Sequence, residues 1–468
     1  MSPGIHLIGI CQCALYTGLC DWPCRRRQGC QCAKLDRGFK AVKIGLLHAF
    51  MEGQTMTKPA KTTYDLVVFG ATSFVGQLLT RYLFESYGVA GEVKWAIAGR
   101  SEAKLNSLKS DLGTASGDLP VILADATDDQ ALTAMCDQTR VVISTVGPYA
   151  LFGEPLVKAC VTTGTDYCDL TGEVQWIRRM VERYEDQAKS TGARIVHCCG
   201  FDSIPSDMGV WFLQQQAEKT FGEPCQDVRM RVKVAKGGIS GGTVASMINV
   251  AKEAAADPKL RKELANPFSI CPSEHRSKVR QPSLKGAEFD KTFNVWLAPF
   301  VMGAINTRVV HRSNAMQNAR YGKEFTYDEA MMAGSGTKGR LTAYGITAAL
   351  AGFFTASAIK PTRWLVEKFV PKPGDGPDPD AQKAGFYDLR FVGRTQDGKT
   401  IITKVTGDAD PGYGSTRKML GEAGMCLAFD VPADQPGGFW TPASLLDGKL
   451  LERLTSKAGL TFEVVETR

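Results

Sequence analysis

Net charge beyond the N-terminal stretch, histidine and regular cysteine spacing are all scarce in this chain. The formal net charge is +7, yet residues 1–60 alone carry eight Lys/Arg and three Asp/Glu, a balance of +5. Residues 61–468 hold only +2. A near-neutral body offers no basic patch, so no nucleic-acid partner is expected. Histidine occurs 5 times in 468 residues. No Ser-His-Asp set, metal-ligand cluster or kinase loop is present, so no metal site is expected. No internal repeat is found. No uninterrupted apolar stretch leads to a small-residue cleavage site, so the N-terminus does not read as a signal peptide. Six of the 14 cysteines (Cys11, Cys13, Cys20, Cys24, Cys30, Cys32) crowd one short N-terminal stretch at spacings foreign to zinc modules, with no histidine among them. Met51 and Met56 both precede the first strand, and residues 1–60 are therefore expected to be a disordered or artefactual extension from an upstream start codon, with a small metal-binding arm as the alternative. The other eight cysteines are scattered, as in a reduced, cytoplasmic protein.

What is there is an ordinary soluble composition, 44% hydrophobic and 22% charged, in a length that calls for two domains. From residue 64 short apolar runs alternate with helical spacing: "YDLVVFG", "VKWAIAGR", "LPVILAD", "RVVISTVGP", "TDYCDL" and "ARIVHCCGF" read as six strands. Six strands separated by helices predict an α/β, Rossmann-like, doubly wound parallel sheet over 61–206. Beyond Pro205 the rhythm changes. "DVRMRVKVA" alternates, and "FYDLRFVGRTQDGKTIITKVTG" reads as a hairpin turning at Asp397-Gly398. Residues 207–411 are expected to form a second, α+β, mainly antiparallel domain. Residues 412–468 are expected to be C-terminal helices packing back on the first domain.

"GATSFVG", Gly70 to Gly76, has the setting of a dinucleotide-binding turn. Gly70 permits the turn and Gly76 lets the helix approach the sheet. Ser73 stands where a middle glycine is often found, with a hydroxyl able to donate to phosphate. Thr72, Phe74 and Val75 complete the turn. At the end of the second strand an NAD enzyme would place Asp or Glu; this chain has Arg100 and Ser101. A guanidinium there suits a 2′-phosphate, so NADP(H) is the expected cofactor. Asp125 ends the third strand near the expected adenine. Thr145, Val146, Gly147 and Pro148 end the fourth near the expected nicotinamide.

Taken in order, "GATSFVG", "AGRSEAKL", "STVGPYALFGEPLVKAC", "TDYCDLTGE", "IVHCCGFDSIPSD", "SGGTVAS" and "APFVMGAINTRVVHRSNA" resemble the saccharopine dehydrogenase-like oxidoreductases, and among them the trans-acting enoyl reductases. Ser73 departs from the usual glycine, and the N-terminal stretch before Lys61 matches nothing in the family. The resemblance implies an NADP-dependent Rossmann domain, an α+β second domain, and hydride transfer in lipid or glycolipid biosynthesis. Expected partners are a lipid or acyl substrate carried on a synthase, a membrane surface, and a second copy in a homodimer. Two other readings stay open: a non-catalytic, membrane-associated NADP-binding protein, and a saccharopine-type amino-acid dehydrogenase. The latter needs arginines for carboxylates, and "INTRVVHRSNA" offers Arg308, His311 and Arg312.

Enoyl reduction needs a proton donor beside the nicotinamide. Tyr149 offers either a phenol or a ring to pack on the cofactor. Asp202 and Ser203 follow the sixth strand at the carboxyl edge of the sheet, as ligand contacts or as helix caps. His197 reads as a core residue, and "KGGISGGT", Lys236 to Thr243, as a lid or a turn. Leu341 to Ile359 is an uninterrupted stretch without a charge. Trp364, Leu365 and Phe369 then interleave with Lys360, Arg363, Lys368 and Lys372. That pattern predicts a segment lying on the inner face of a plasma membrane without spanning it, with a buried helix as the alternative for 341–359.

Overall fold

A computed structural model describes residues 63–468, apart from 90, 239–240, 273, 275–276 and 370–375 and the side chains at 365, 367 and 369. The expectation for residues 1–60 lies outside the described residues, as do Lys372 and the side chains of Leu365 and Phe369.

The six anticipated strands are β1 (Tyr64–Phe69), β2 (Trp95–Gly99), β3 (Val121–Leu123), β4 (Thr139–Ser144), β5 (Asp166–Asp169) and β6 (Arg194–Val196). They lie parallel in the order β6-β5-β4-β1-β2-β3, with Leu66 opposite Trp95 on one side and Val141 on the other. Side chains alternate between the two faces, and both faces are apolar because helices cover both. Leu66, Val68, Val141 and Ile143 feed one core, while Val67, Phe69 and Val142 feed the other.

The second sheet holds β7 (Asp227–Lys236), β8 (Glu288–Asp290), β9 (Val295–Pro299), β10 (Thr326–Gly334), β11 (Phe386–Arg394), β12 (Thr400–Gly407) and one strand from the tail. All its pairings are antiparallel except β7 with β10. The β11–β12 hairpin turns through Gly398 at φ +85°, as the sequence indicated. The short strand β8 and its partner β9 carry too little periodicity to be read from sequence.

The tail does more than add helices. It supplies β13 (Gly438–Trp440), parallel to β6 at the edge of the first sheet, and β14 (Leu460–Thr467), antiparallel to β12 at the edge of the second. Between β12 and β13, helix Thr416–Phe429 packs on β1, β4, β5 and helix Phe74–Tyr87. Its buried Glu422 accepts hydrogen bonds from Tyr82 Oη (2.7 Å), Tyr87 Oη (2.7 Å) and Arg453 Nη1 (3.1 Å). At the sheet edge, buried Arg194 pairs with Asp166 and donates to the Pro432 carbonyl at 3.0 Å. One hydrophobic core therefore runs from Leu66 through Leu420 to Val405 and Phe391 of the second sheet. Helix Ile204–Phe221 runs without a break at residue 207 and packs on β11, β12 and β14 of the second sheet.

Candidate active site

Two cavities meet at the carboxyl edge of the first sheet, where ligands bind in parallel α/β folds. The first is a cleft of about 390 Å³ across the ends of β1 to β4. It gathers nine residues singled out from sequence: Gly70, Thr72, Ser73, Arg100, Ser101, Asp125, Thr145, Val146 and Gly147. Phe74, Val75 and Pro148 line the neighbouring cavity instead. Gly76 lines neither, because its place is structural. A Cβ there would sit 2.2 Å from the Gly70 carbonyl oxygen, so glycine alone lets the helix close on the turn. Gly70 has φ +83°, and a Cβ on it would meet Val146 at 2.6 Å.

Ser73 caps helix Phe74–Tyr87, its Oγ accepting from Gly76 N at 3.0 Å. The hydroxyl also lies 2.9 Å from Thr145 Oγ1. Thr145 directs its own proton to the Gly70 carbonyl (2.9 Å), so the Ser73 proton goes to Thr145. The hydroxyl read above as a phosphate donor is thus turned to the protein, and the helix N-terminus is left to face an anion through its backbone. Ser101 caps the helix after β2, accepting from Lys104 N at 3.4 Å. Lys104, which the sequence reading missed, joins Arg100 in the cleft; its place one helical turn beyond Arg100 was the available signal. Asp125 accepts from Thr127 Oγ1 (2.7 Å) and Thr127 N (2.9 Å). These bonds, with Arg100 nearby, hold its carboxyl below the usual range. The glycine turn, the helix end and the Arg100–Lys104 pair fit the pyrophosphate and 2′-phosphate of NADP(H).

The second cavity, about 300 Å³, shares Ser73, Thr145 and Gly147 with the cleft and extends between the two sheets. Asp202 lines it. No hydrogen bond to its carboxyl is made among the described residues, and burial pushes that carboxyl up to about 6. Ser203 does not share the role: its Oγ donates to Asn306 Oδ1 at 3.0 Å. Tyr149 also lines the cavity, but its hydroxyl donates to the Ser144 carbonyl (3.1 Å) and lies 3.5 Å from Leu170 N. Burial raises that phenol well above its ordinary range. The neighbouring backbone is fixed by Glu173, which sequence reasoning passed over. Its carboxylate accepts from Tyr149 N (2.8 Å), Ala150 N (3.0 Å) and Ser246 Oγ (2.9 Å). The glycine-rich stretch ending at Thr243 is no simple turn, for helix Gly241–Ala256 begins within it and its residues from Gly242 to Val250 wall the cavity.

Of the arginines an amino-acid dehydrogenase would require, Arg308 lines the cavity but gives both Nη groups to backbone carbonyls, and Arg312 is not in the lining. Arg308 donates to the carbonyls of Ala304 and Leu264, and Arg312 to those of Ile270 and Phe439. His311 is buried against Phe268 and Phe325, and burial drives it down to about 3. His197 is a core residue as expected, its Nδ1 2.7 Å from Asp169 Oδ2.

Residues 66–196 match the saccharopine dehydrogenase NADP binding domain. A trans-acting enoyl reductase from Mycobacterium bovis (strain BCG / Pasteur 1173P2) is 36% identical over 412 residues, 85% of this chain and 96% of its own. The chain belongs to the trans-acting enoyl reductases of the saccharopine dehydrogenase-like family. A Mycobacterium tuberculosis H37Rv protein designated a candidate reductase of this type is 38% identical over 410 residues, covering 86% of this chain and 97% of its own. Among solved structures, apo saccharopine dehydrogenase (L-Glu forming) from Saccharomyces cerevisiae aligns with a TM-score of 0.49 at 13% identity, over 86% of this chain and 99% of that one. Membership makes the chain an NADP(H)-dependent oxidoreductase, in agreement with the cleft chemistry.

Proposed function

We propose that this member of the trans-acting enoyl reductases saturates the carbon–carbon double bond of an acyl thioester carried on a synthase, with Asp202 as the proton donor. The observation that supports this reading is Asp202 itself, a carboxyl without hydrogen-bond partners among the described residues in an otherwise largely apolar cavity that adjoins the nucleotide cleft. NADPH held by the glycine turn and the Arg100–Lys104 pair would supply the hydride for the β-carbon. The double-bond electrons pass to the α-carbon, Asp202 gives its proton there, and solvent returns a proton to the carboxylate. Glu173 keeps the Tyr149–Ala150 backbone in place beside the reacting atoms. Asp202→Asn should lower kcat with an enoyl thioester about 100-fold or more, with NADPH affinity unchanged. Because the acid form is the active one, it is full below pH 6, and kcat/KM should fall about tenfold per pH unit above it. Wild-type turnover by Asp202→Asn would overturn the assignment.

Lipid and membrane partners belong to the same reading. What supports them is helix Gly336–Ala358, long and apolar enough to cross a bilayer and largely uncovered by protein. Leu341 is 68% exposed and Trp364, on the following helix Lys360–Phe369, is 59% exposed. Arg340 lies over the rings of Trp296 and Tyr344, and Lys368 lies 3.7 Å over Trp364. Cations beside exposed rings suit an anionic headgroup layer. Phe354 of the same helix is both partly exposed and part of the cavity wall, giving an acyl chain a route from surface to site.

A further inference from the structure

Two buried polar side chains of the substrate cavity have hydrogen-bonding groups left over. Gln175 is 1% exposed, and neither its Nε2 nor its Oε1 has a partner among the described residues. Arg308 is 7% exposed; its two Nη groups reach carbonyls but its Nε reaches nothing among those residues. Both line the cavity. Gln175 stands in the first turn of helix Val174–Thr191. Helix Pro258–Ala265, whose Leu264 carbonyl holds Arg308, packs on that same helix. Val174, Val250, Leu264 and Ile305 give the wall around them an apolar character.

A buried amide that bonds to nothing costs more than a satisfied one gains, and folded proteins leave few such groups. Gln175 asks for an acceptor and a donor together. Arg308 asks for an acceptor. A hydrocarbon tail supplies neither, and a carboxylate supplies acceptors only. A secondary amide supplies a carbonyl oxygen and an N–H. We propose that Gln175, with Arg308 of the same cavity, forms a subsite for the amide-bearing arm through which the acyl thioester is presented, a pantetheine-type arm. The inference rests on the thioester reading of the preceding section. It assigns these two polar side chains to the carrier arm and leaves the apolar wall to the acyl chain.

The test compares one enoyl chain on two leaving arms, as its pantetheine thioester and as its ethyl thioester, with wild type and Gln175→Met. Wild type should favour the pantetheine ester in kcat/KM by about tenfold, the scale of one or two buried hydrogen bonds. Gln175→Met should bring the two esters within about twofold by slowing only the pantetheine ester. NADPH affinity should not change, and the melting temperature should hold or rise, because an orphaned amide has been replaced by an apolar group of similar size. Equal loss on both esters, or a preference that survives the substitution, would overturn the subsite. A separate titration of the NADP-loaded protein with saturated S-acyl pantetheine keeps the two ideas apart. Binding weakened by Gln175→Met without turnover of any enoyl ester would sink the reductase reading and keep the subsite. Turnover with unaltered binding would do the reverse.

Discussion

Two helices of this protein have exchanged the surroundings their compositions call for. Helix Thr416–Phe429 contains Arg417, Lys418 and Glu422, yet everything from Met419 to Ala428 is buried. Helix Gly336–Ala358 is uncharged from Leu341 onward, yet Gly339, Ala343 and Ser357 are its only buried residues among those described. Burial here is decided by what a helix lies against rather than by its own polarity. The tail helix sits on the first sheet and carries a glycine where the sheet comes closest; a Cβ on Gly424 would stand 2.4 Å from Ile143. Its one fully buried charge is tied to two tyrosines and an arginine. On the long helix, a Cβ on Gly345 or Gly352 would meet nothing within 4 Å.

This contrast can be pushed until it breaks. Glu422→Ala should have the largest effect, about 3 kcal/mol in urea unfolding, because buried Tyr82, half-buried Tyr87 and Arg453 each lose an acceptor at once. Gly424→Leu should cost about 2 kcal/mol by overpacking against Ile143. On the other helix the sign reverses: Gly345→Ala should stabilise by about 0.5–1 kcal/mol, since an open helical glycine gains propensity and meets no neighbour. A loss of stability there would show that the face is covered in solution. Leu341→Glu with Trp364→Glu should move stability least, within about 0.5 kcal/mol. The same pair should abolish flotation with vesicles containing anionic lipid. Unchanged flotation, or none by wild type, would remove the membrane role.

The sequence was most legible where local rules and the fold agree. The dinucleotide half announces itself through strand–turn–helix order, and the nine cleft residues follow from the turn glycines and the strand ends. Asp202 was readable only through its position after the sixth strand. Gln175 and Glu173 were not readable, because a polar residue at the N-cap or in the first turn of a helix ordinarily faces solvent. Their burial comes from helices that follow much later in the chain. The strands β8 and β13 are three residues long and show no period at all. Ser73 was legible as a substitution, but the direction of its hydroxyl depended on Thr145, 72 residues away.

The placement of β13 and β14 has a consequence for how the chain is made. Both sheets receive an outer strand from the final stretch of sequence, after every inner strand has been synthesised. At about 5–20 residues per second, a ribosome emits β6 roughly 10–50 seconds before the segment that closes its edge. Through that interval β6 has an open flank, and the face later covered by helix Thr416–Phe429 is bare. A nascent chain in this state is an aggregation hazard that a finished molecule is not. Loss of the last residues would therefore leave not a smaller enzyme but two unfinished sheets, and chaperone demand should peak late in synthesis.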